Sequence, residues 1–324
     1  MMSSAIALDL AIGDVAFSAS EWGRALVGLG TPDTEYIIWI LRLPRLLLAM
    51  GVGMSLAIAG TIAQAITRNP LASPSILGVN AGASLATVGL IVGWGQAPLV
   101  LFPLAALSGA GAIAVLLYLL VGQHPLSPRR LILAGVGCQL IASAATQGLL
   151  ALGDLHNASQ ALVWLTGSVY GRSWPQVLLF WPGAIALSLL AVLKVRELDI
   201  LSLDDDVALA LGSSLSRQRL QLLGIAIALA ALAVTVAGAI GFVGLIAPHL
   251  ARRWVGPTHT HLLPTAALFG ALLVILADTL GRCLFPAVEL PCGLIIAPIG
   301  APYLAYLLLS FNSKARSTNK IPSR

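Results

Sequence analysis

The residue types that perform covalent chemistry are sparse in this 324-residue chain and lack the spacings that enzymes use. No G-x-x-x-x-G-K-[ST] phosphate loop occurs, and only three lysines are present. Neither the H-E-x-x-H pattern of zinc proteases nor the G-x-S-x-G pattern of serine hydrolases is found. The sequence therefore predicts a protein that is not an enzyme, with no catalytic residue, no cofactor and no metal.

Two pairs of polar residues come close to a metal-binding spacing. His259 and His261 stand in the sequence THTH, and Asp154 and His156 are two residues apart. A structural zinc site needs four ligands, and a catalytic site needs three. Since no further ligand lies near either pair in the sequence, we expect the two histidines in a solvated loop and the other pair in a polar turn.

Three cysteines are present, and they leave one question open. Cys138 lies in an apolar run, where a cysteine behaves as a small apolar side chain. Cys283 and Cys292 flank one predicted loop. A disulfide between them and two separate thiols are both compatible with this spacing.

Ionisable residues are nearly absent from the apolar runs. Proton-driven carriers use buried Asp, Glu or His relays, and Asp278 in LADTLGR is the main candidate here. Arg282 follows four residues later on the same helix face, which favours an ion pair over a relay. With neither a relay nor a nucleotide site, the energy for any transport is expected from another subunit.

The composition determines which elements must hold these residues. The chain is 58% hydrophobic and 10% charged, whereas a soluble domain carries about 25% charge. Nine apolar segments fit a bilayer better than water. They are longer than the strands of about ten residues in an outer-membrane barrel, and apolar and polar residues do not alternate along them. We predict a single all-α, polytopic transmembrane domain over residues 1–324. The segments are 44–66, 76–93, 98–121, 131–152, 176–193, 219–240, 241–255, 262–281 and 291–310.

The net charge of +5 reflects basic loops at one membrane face rather than nucleic-acid binding. Alternating the nine segments places 13 of the 18 basic residues on that face, which is therefore predicted to be cytoplasmic. The tail 311–324 is then cytoplasmic, and residues 1–43 are mostly extracytoplasmic. Because residues 1–43 would cross without a preceding apolar signal, we expect a missing or truncated first helix, with a genuine nine-span protein as the alternative. The 13 residues are Arg68, Arg129, Arg130, Lys194, Arg196, Arg217, Arg219, Arg252, Arg253, Lys314, Arg316, Lys320 and Arg324.

Two segments are short and glycine-rich, at 76–93 and 241–255. In transporters, short or broken helices point to the substrate path. The first follows NPLASPSILGVN, residues 69–80, in which two prolines predict a turn at the membrane face and then a short helix. Gln64 and Asn80 flank this turn, and either a role in the path or ordinary interhelical hydrogen bonding fits them.

A weak internal repeat is also visible. Ala59-Gly60-Thr61-Ile62 and Ala237-Gly238-Ala239-Ile240 each precede a proline, at the same distance from the glycine. The copies lie in the first and sixth segments, so their orientations are opposite, as in an inverted repeat. Chance explains a four-residue match in a Gly/Ala-rich chain equally well.

Four longer stretches carry a resemblance to a known family. They are residues 42–89, which begin RLPRLLLAMGVG, LVWLTGSVYGRSW (162–174), GAIGFVGLIAPHLAR (238–252) and ELPCGLIIAPIGAPYLAYLL (289–308). In this order they resemble the FecCD family, the permease subunits of binding-protein-dependent ABC importers for iron–siderophore complexes, haem and vitamin B12. NPLASPSILGVN and LVWLTGSVYGRSW are most similar to iron(III)-dicitrate and siderophore permeases.

The resemblance implies an inner-membrane bundle of ten helices, paired with a second permease subunit, two ATP-binding subunits and an extracytoplasmic solute-binding protein. It implies that Arg42, Arg45 and Arg282 receive acidic residues of the binding protein. The alternative to docking is that these arginine side chains extend to the lipid interface, or that Arg282 pairs with Asp278. A receptor or scaffold without transport is the alternative function.

The segment 201–220 resembles the cytoplasmic loop that seats on the ATPase in this family, and we expect the coupling loop at 199–218. This chain is more acidic there than the family pattern, since it has Asp204 and Val207 where glycine and arginine are common. The matching positions are Leu203, Asp205, Ala208, Leu211 and Gly212.

Overall fold

The computed structural model describes residues 2–11, 17–98, 100–121, 127–203, 205–210, 214–284 and 289–318, without the side chains of residues 19 and 310–318. Within these ranges the chain is helical and contains no β-strand, so the all-α prediction is confirmed. The helices are α1 Met2–Ala11, α2 Ala19–Leu26, α3 Pro32–Tyr36, α4 Leu43–Thr67, α5 Val79–Gly93, α6 Leu101–Val121, α7 Pro128–Leu152, α8 Leu155–Leu165, α9 Trp174–Leu193, α10 Val195–Leu201, α11 Asp205–Ala210, α12 Leu215–Ala237, α13 Val243–Val255, α14 His259–Cys283 and α15 Cys292–Thr318.

Seven helical stretches in the described ranges are long and apolar enough to cross a membrane. The first is Pro32–Thr67, in which a π-helical segment, Ile37–Arg42, joins α3 to α4. The others are α6, α7, α9, α12, α14 and the apolar part of α15. The predicted spans at 76–93 and 241–255 correspond to α5 and α13, which have 15 and 13 residues. Helices of that length rise only about 20–23 Å, less than a hydrocarbon core of about 30 Å, so nine full spans remain a prediction.

Helix α4 lies at the centre of the bundle and packs against α9, α12, α13 and α14. Glycines permit the closest of these contacts. A Cβ added at Gly60 would lie 1.9 Å from the carbonyl oxygen of Gly244 in α13, and one at Gly53 would lie 2.2 Å from that of Gly270 in α14. Backbone therefore packs directly on backbone, as small residues allow between membrane helices.

The stretch 69–80 forms the predicted turn and short helix. Arg68 ends α4 in a left-handed conformation with φ of +48°, and Pro74–Leu77 forms a single 3₁₀ turn. Gly78, with φ of +78°, then leads into α5. The proposed repeat does not show as equivalent local structure, because Gly60 lies inside α4 while Gly238 ends α12 with φ of +70°. An inverted repeat therefore stays a prediction.

Several helices were not foreseen in the sequence, namely α1, α2, α3, α8 and α10. Helix α8 begins at an N-cap, Asp154, whose Oδ1 accepts the backbone N–H of Asn157 at 2.8 Å. Helix α1 packs against α14 and runs in the same direction, since Asp9 contacts Thr279 and Met2 shares a cavity of about 330 Å³ with Leu272. At about 1.5 Å per residue, α1 follows α14 for roughly 15 Å.

Candidate functional site

Buried and half-buried charges concentrate at the two ends of α4. Arg45 lies in the first turn of this helix and Arg68 is its C-cap. The two residues are 23 positions apart, which corresponds to about 35 Å of helix, so the two charges stand at opposite ends of the bundle. We name the Arg45 cluster (Asp9, Arg42, Arg45, Asp278, Thr279, Arg282 and Glu289) and the Arg68 cluster (Arg68, Asp199, Asp205, Arg219 and His259).

Arg45 is the centre of the first cluster. Its Nε lies 2.7 Å from Oδ2 of Asp278 in α14, and its second terminal nitrogen donates to Oδ1 at 2.9 Å. The first terminal nitrogen donates to Glu289 Oε2 at 2.7 Å. The Asp278 side chain is only 2% exposed, whereas that of Glu289 is 29% exposed. This two-pronged arginine–carboxylate geometry gives both strength and a fixed orientation.

The same cluster fastens α1 to the bundle. Arg282 donates to Oδ1 of Asp9, and the Thr279 hydroxyl donates to the same oxygen at 2.8 Å. Arg42 donates to the carbonyl oxygen of Leu10, and its guanidinium lies 4.9 Å from the ring centre of Phe17. The cluster thus joins α1, α4, α14 and the segment before α15.

The three arginines expected at a docking surface are all buried within the chain. Arg42, Arg45 and Arg282 are 6%, 7% and 9% exposed, and each donates to a partner inside the protein. The expected Asp278–Arg282 pair is secondary, with 3.6 Å between Arg282 Nε and Asp278 Oδ2. Arg45 is the close partner of Asp278 because it approaches from a neighbouring helix, where two of its N–H groups reach the carboxylate. Docking by these arginines stays a prediction.

Asp205 binds two arginines of the Arg68 cluster. It begins α11 and accepts a hydrogen bond from Arg68. It also accepts one, at 2.6 Å, from Arg219 near the start of α12. Arg68 also donates its Nε–H to the carbonyl oxygen of Leu201 at 3.0 Å. Partial burial acts to raise the pKa of the Asp205 carboxyl, but Arg219 and then Arg68 outweigh it, so the pKa lies below its ordinary value.

Asp199 of α10 binds the start of α14. Its Oδ1 accepts the backbone N–H of His259 at 2.9 Å and lies 2.7 Å from the His259 ring Nδ1. His259 is 3% exposed, so the expectation of a solvated loop is wrong for this residue. The THTH sequence instead begins helix α14. Backbone N–H groups in the first turn of a helix have no partner within the helix, and Asp199 accepts the N–H of His259.

The expected coupling residues have different surroundings. Leu203 is 43% exposed, Ala208 is fully buried, and Asp205 is bound by the two arginines described above. Leu211 and Gly212 lie outside the described residues. The structure therefore brings Asp205 together with the ends of α4 and α12, and no spacing in the sequence indicated these contacts.

The two residues expected beside a path make different contacts. Gln64 is buried, accepts a hydrogen bond from Arg252 at 3.2 Å and donates to the carbonyl oxygen of Leu245 at 3.5 Å. It also borders a cavity of about 230 Å³ lined in addition by Arg68 and His259. Asn80 is half-buried in the first turn of α5, and its Oδ1 has no hydrogen-bond partner among the described residues. Gln64 therefore makes the interhelical hydrogen bonds that were one of its two predicted roles. Its other role, beside the substrate path, stays a prediction.

The cysteines are separate thiols. Cys283 is exposed and Cys292 is buried, and both are free along with Cys138. Across the described part of the chain, no group of three or more His, Cys, Asp or Glu side chains could hold a metal ion.

Several residues of the two clusters were missed in the sequence, namely Asp9, Asp199, Arg219 and Glu289. Asp9 carried the clearest signal, because an acidic residue inside an apolar stretch requires a partner. Asp199 and Glu289 stand in polar segments and Arg219 is the first residue of a predicted apolar segment, positions at which a charged residue is ordinarily solvated. Their partners are distant in sequence and could not be identified from spacing.

Comparison with known proteins gives a consistent result along the whole chain. The sequence profile described as the FecCD transport family matches residues 1–310. An Fe(3+)-citrate import system permease protein of Bacillus subtilis is 41% identical over 303 residues, which cover 93% of this chain and 90% of that protein. A hemin transport system permease protein of Yersinia pestis is 38% identical over 310 residues, covering 93% and 92%. A solved structure described as an inward-facing conformation of a metal-chelate type ABC transporter superposes with a TM-score of 0.86 at 31% identity, covering 95% and 96%.

Proposed function

The chain belongs to the FecCD transport family, whose members are membrane permease subunits rather than enzymes, and on that premise we propose its specific task. It imports an iron(III)–siderophore or iron(III)-dicitrate complex through the cell inner membrane. Partner subunits hydrolyse the ATP, and a second permease subunit completes the path. The observation that carries the proposal is the family match over residues 1–310, on a chain whose described part has seven apolar spans.

The Arg68 end of the bundle faces the cytoplasm in this proposal. The support is the charge bias, because 13 of the 18 basic residues fall on that side in the predicted topology. The Arg45 end then faces outward and receives the solute-binding protein, and the C-terminal tail is cytoplasmic. The largely buried position of α4 between the two ends gives the docking signal a direct mechanical route through the membrane.

Docking of the binding protein is an exchange of arginine partners. Carboxylates of the binding protein compete for Arg42, Arg45 and Arg282, and Glu289, the more exposed partner of Arg45, is displaced first. The exchange predicts that Glu289→Gln, which removes a competing carboxylate, tightens binding of the solute-binding protein. An unchanged or weaker affinity, measured by surface plasmon resonance on permease in nanodiscs, would count against it.

The segment 199–218 seats on the ATP-binding subunits through Leu203, Asp205, Leu211 and Gly212, while Ala208 packs inward and holds α11 against the bundle. Exposed apolar side chains at Leu203, Val207 and Leu209 support this assignment, since apolar groups clustered in a polar segment mark a contact surface. ATP binding and hydrolysis move this segment, and the helices rock around the path between the two permeases. Gln64 and Asn80 contact the cargo as it passes.

Haem is the second candidate cargo, because the hemin permease relative matches nearly as well as the Fe(3+)-citrate one. A vitamin B12 cargo has only the family resemblance in its favour. A receptor or scaffold without transport would bind ligand but would neither retain an ATPase nor move solute.

Uptake by a deletion strain tests the proposal. Cells lacking this permease should lose accumulation of ⁵⁵Fe supplied as dicitrate or as a siderophore complex, and expression of the chain should restore it. A strain lacking the partner ATPase serves as the control, because it should fail in the same way. Restoration of hemin uptake alone would move the cargo to haem, and normal iron uptake in the deletion strain would reject the proposal.

A further inference from the structure

Two aspartates attach the segment beside the Arg68 end to three core helices. We name residues 195–210, which contain α10 and α11, the coupling segment. Asp199 lies in α10 and Asp205 begins α11. Each bonds side chains that belong to helices of the bundle rather than to the segment itself.

Asp205 joins the segment to α4 and α12. It accepts from Arg68 at the end of α4 and from Arg219 near the start of α12, and the Arg219 side chain is almost completely buried. Arg68 reinforces the attachment through its 3.0 Å bond to the carbonyl oxygen of Leu201, the last residue of α10. One carboxylate therefore bridges the ends of two helices.

Asp199 joins the same segment to α14. It accepts the backbone N–H of His259 and lies within hydrogen-bond distance of the ring Nδ1. Since His259 is the first residue of α14, a shift of α10 acts directly on the end of that helix. By contrast, the Lys194–Glu197 ion pair at 3.0 Å joins two residues at the start of α10 and reaches no other helix.

The three attached helices are also packed on one another. Helix α4 contacts both α12 and α14, and the close contact of Gly53 with Gly270 joins α4 to α14 backbone to backbone. Close-packed elements of this kind move together instead of deforming gradually. A displacement of the coupling segment is therefore delivered to the central helices as a unit.

We propose that Asp199 and Asp205 are positioning residues that transmit motion of the coupling segment to α4, α12 and α14. The inference rests on the proposed function, which supplies the force on the segment. It adds to the family expectation for this loop, because Oδ1 of Asp205 is bound by two arginines of the permease itself. Loss of either carboxylate should leave ATP hydrolysis running while less solute moves.

The test uses the permease assembled with its ATP-binding subunits in proteoliposomes. Asp205→Asn and Asp199→Asn are compared with Asp206→Asn, which makes the same charge change at the adjacent exposed residue. We expect the number of solute molecules moved per ATP to fall roughly tenfold in the first two variants, equivalent to about 1.4 kcal/mol of lost coupling. The control should remain within about twofold of the wild type. Asp205→Glu, which keeps the charge, should recover much of the ratio.

Hydrogen exchange on the permease alone provides a second, partner-independent measurement. Amides of residues 195–210 should exchange faster in Asp205→Asn than in Asp206→Asn, while those of α4 and α14 are unchanged. Equal exchange in the two variants, or faster exchange with an unchanged transport ratio, overturns the proposal. If wild-type proteoliposomes move no solute with ATP, the proposed function fails. Equal hydrogen exchange in the two variants would show separately that Asp205 does not hold the coupling segment on the bundle.

Discussion

Removing the positive charge of Arg45 should destabilise the bundle far more than removing the negative charge of Glu289, although these two side chains are hydrogen-bonded to each other. Arg45→Met keeps the length and apolar character of the side chain but leaves Asp278 without its close partner. The Asp278 side chain is 2% exposed, so water cannot replace the two lost hydrogen bonds. Breaking a buried pair in this way costs about 3–5 kcal/mol.

Glu289→Gln provides the matched comparison. Its side chain is 29% exposed, so solvent takes over most of the lost interaction, and the cost should be about 1 kcal/mol or less. With about 2 °C of melting temperature per kcal/mol for a large domain, the expected shifts are about 6–10 °C for Arg45→Met and about 2 °C for Glu289→Gln.

The assay can use the protein's own thiols. Cys138 and Cys292 are buried, so a thiol-reactive fluorophore reports unfolding once the exposed Cys283 is replaced by serine. The double variant Arg45→Met/Asp278→Asn should regain much of the lost stability, because no unpaired charge remains. Equal shifts for Arg45→Met and Glu289→Gln, or strictly additive effects in the double variant, would refute the reasoning.

Three further predictions concern packing, pH and orientation. Gly60→Leu should abolish stable insertion, because even a Cβ at this position would lie 1.9 Å from a backbone oxygen of α13. Gly111→Ala should be neutral or slightly stabilising, because a Cβ at that position would have no atom within 4 Å. Fluorescence-detected gel filtration measures both variants. The Asp205 attachment of the coupling segment should be complete above the ordinary Asp pKa of 3.8, and it should be lost as the pH falls through the lowered pKa of Asp205. Pepsin cleavage within residues 195–210 should therefore rise only below about pH 4. Cleavage that does not change with pH would contradict this. In intact cells, an impermeant thiol reagent should label Leu29→Cys but reach Leu203→Cys only after permeabilisation, and labelling of both from outside would invalidate the orientation.

The sequence was sufficient for the long helices and for the turn before α5, because these depend on local properties. Apolar runs near 20 residues gave the long spans, and Pro70 and Pro74 gave the turn before α5, since proline removes a backbone donor wherever the chain folds. The short lengths of α5 and α13 also followed from the glycine-rich segments.

The charge clusters could not be predicted in the same way. Arg45 and Asp278 are 233 residues apart, and Arg282 was the nearer partner by sequence. Which pair forms depends on how α4, α14 and α1 pack, because an arginine from a neighbouring helix aligns two N–H groups with the carboxylate. His259 was misplaced for a related reason, since burial at the start of α14 depends on an aspartate 60 residues away.

ATP-driven accumulation of a ferric chelate is the most direct test of the whole account. Proteoliposomes should contain this permease, its partner ATP-binding subunits and ATP on the cytoplasmic side, with loaded binding protein on the other. We predict that ⁵⁵Fe-dicitrate or a ⁵⁵Fe–siderophore complex crosses the membrane only when both ATP and the binding protein are present. Chelate that crosses at the same rate without ATP, or that never crosses although ATP is consumed, would contradict the role of this chain as the permease of an importer.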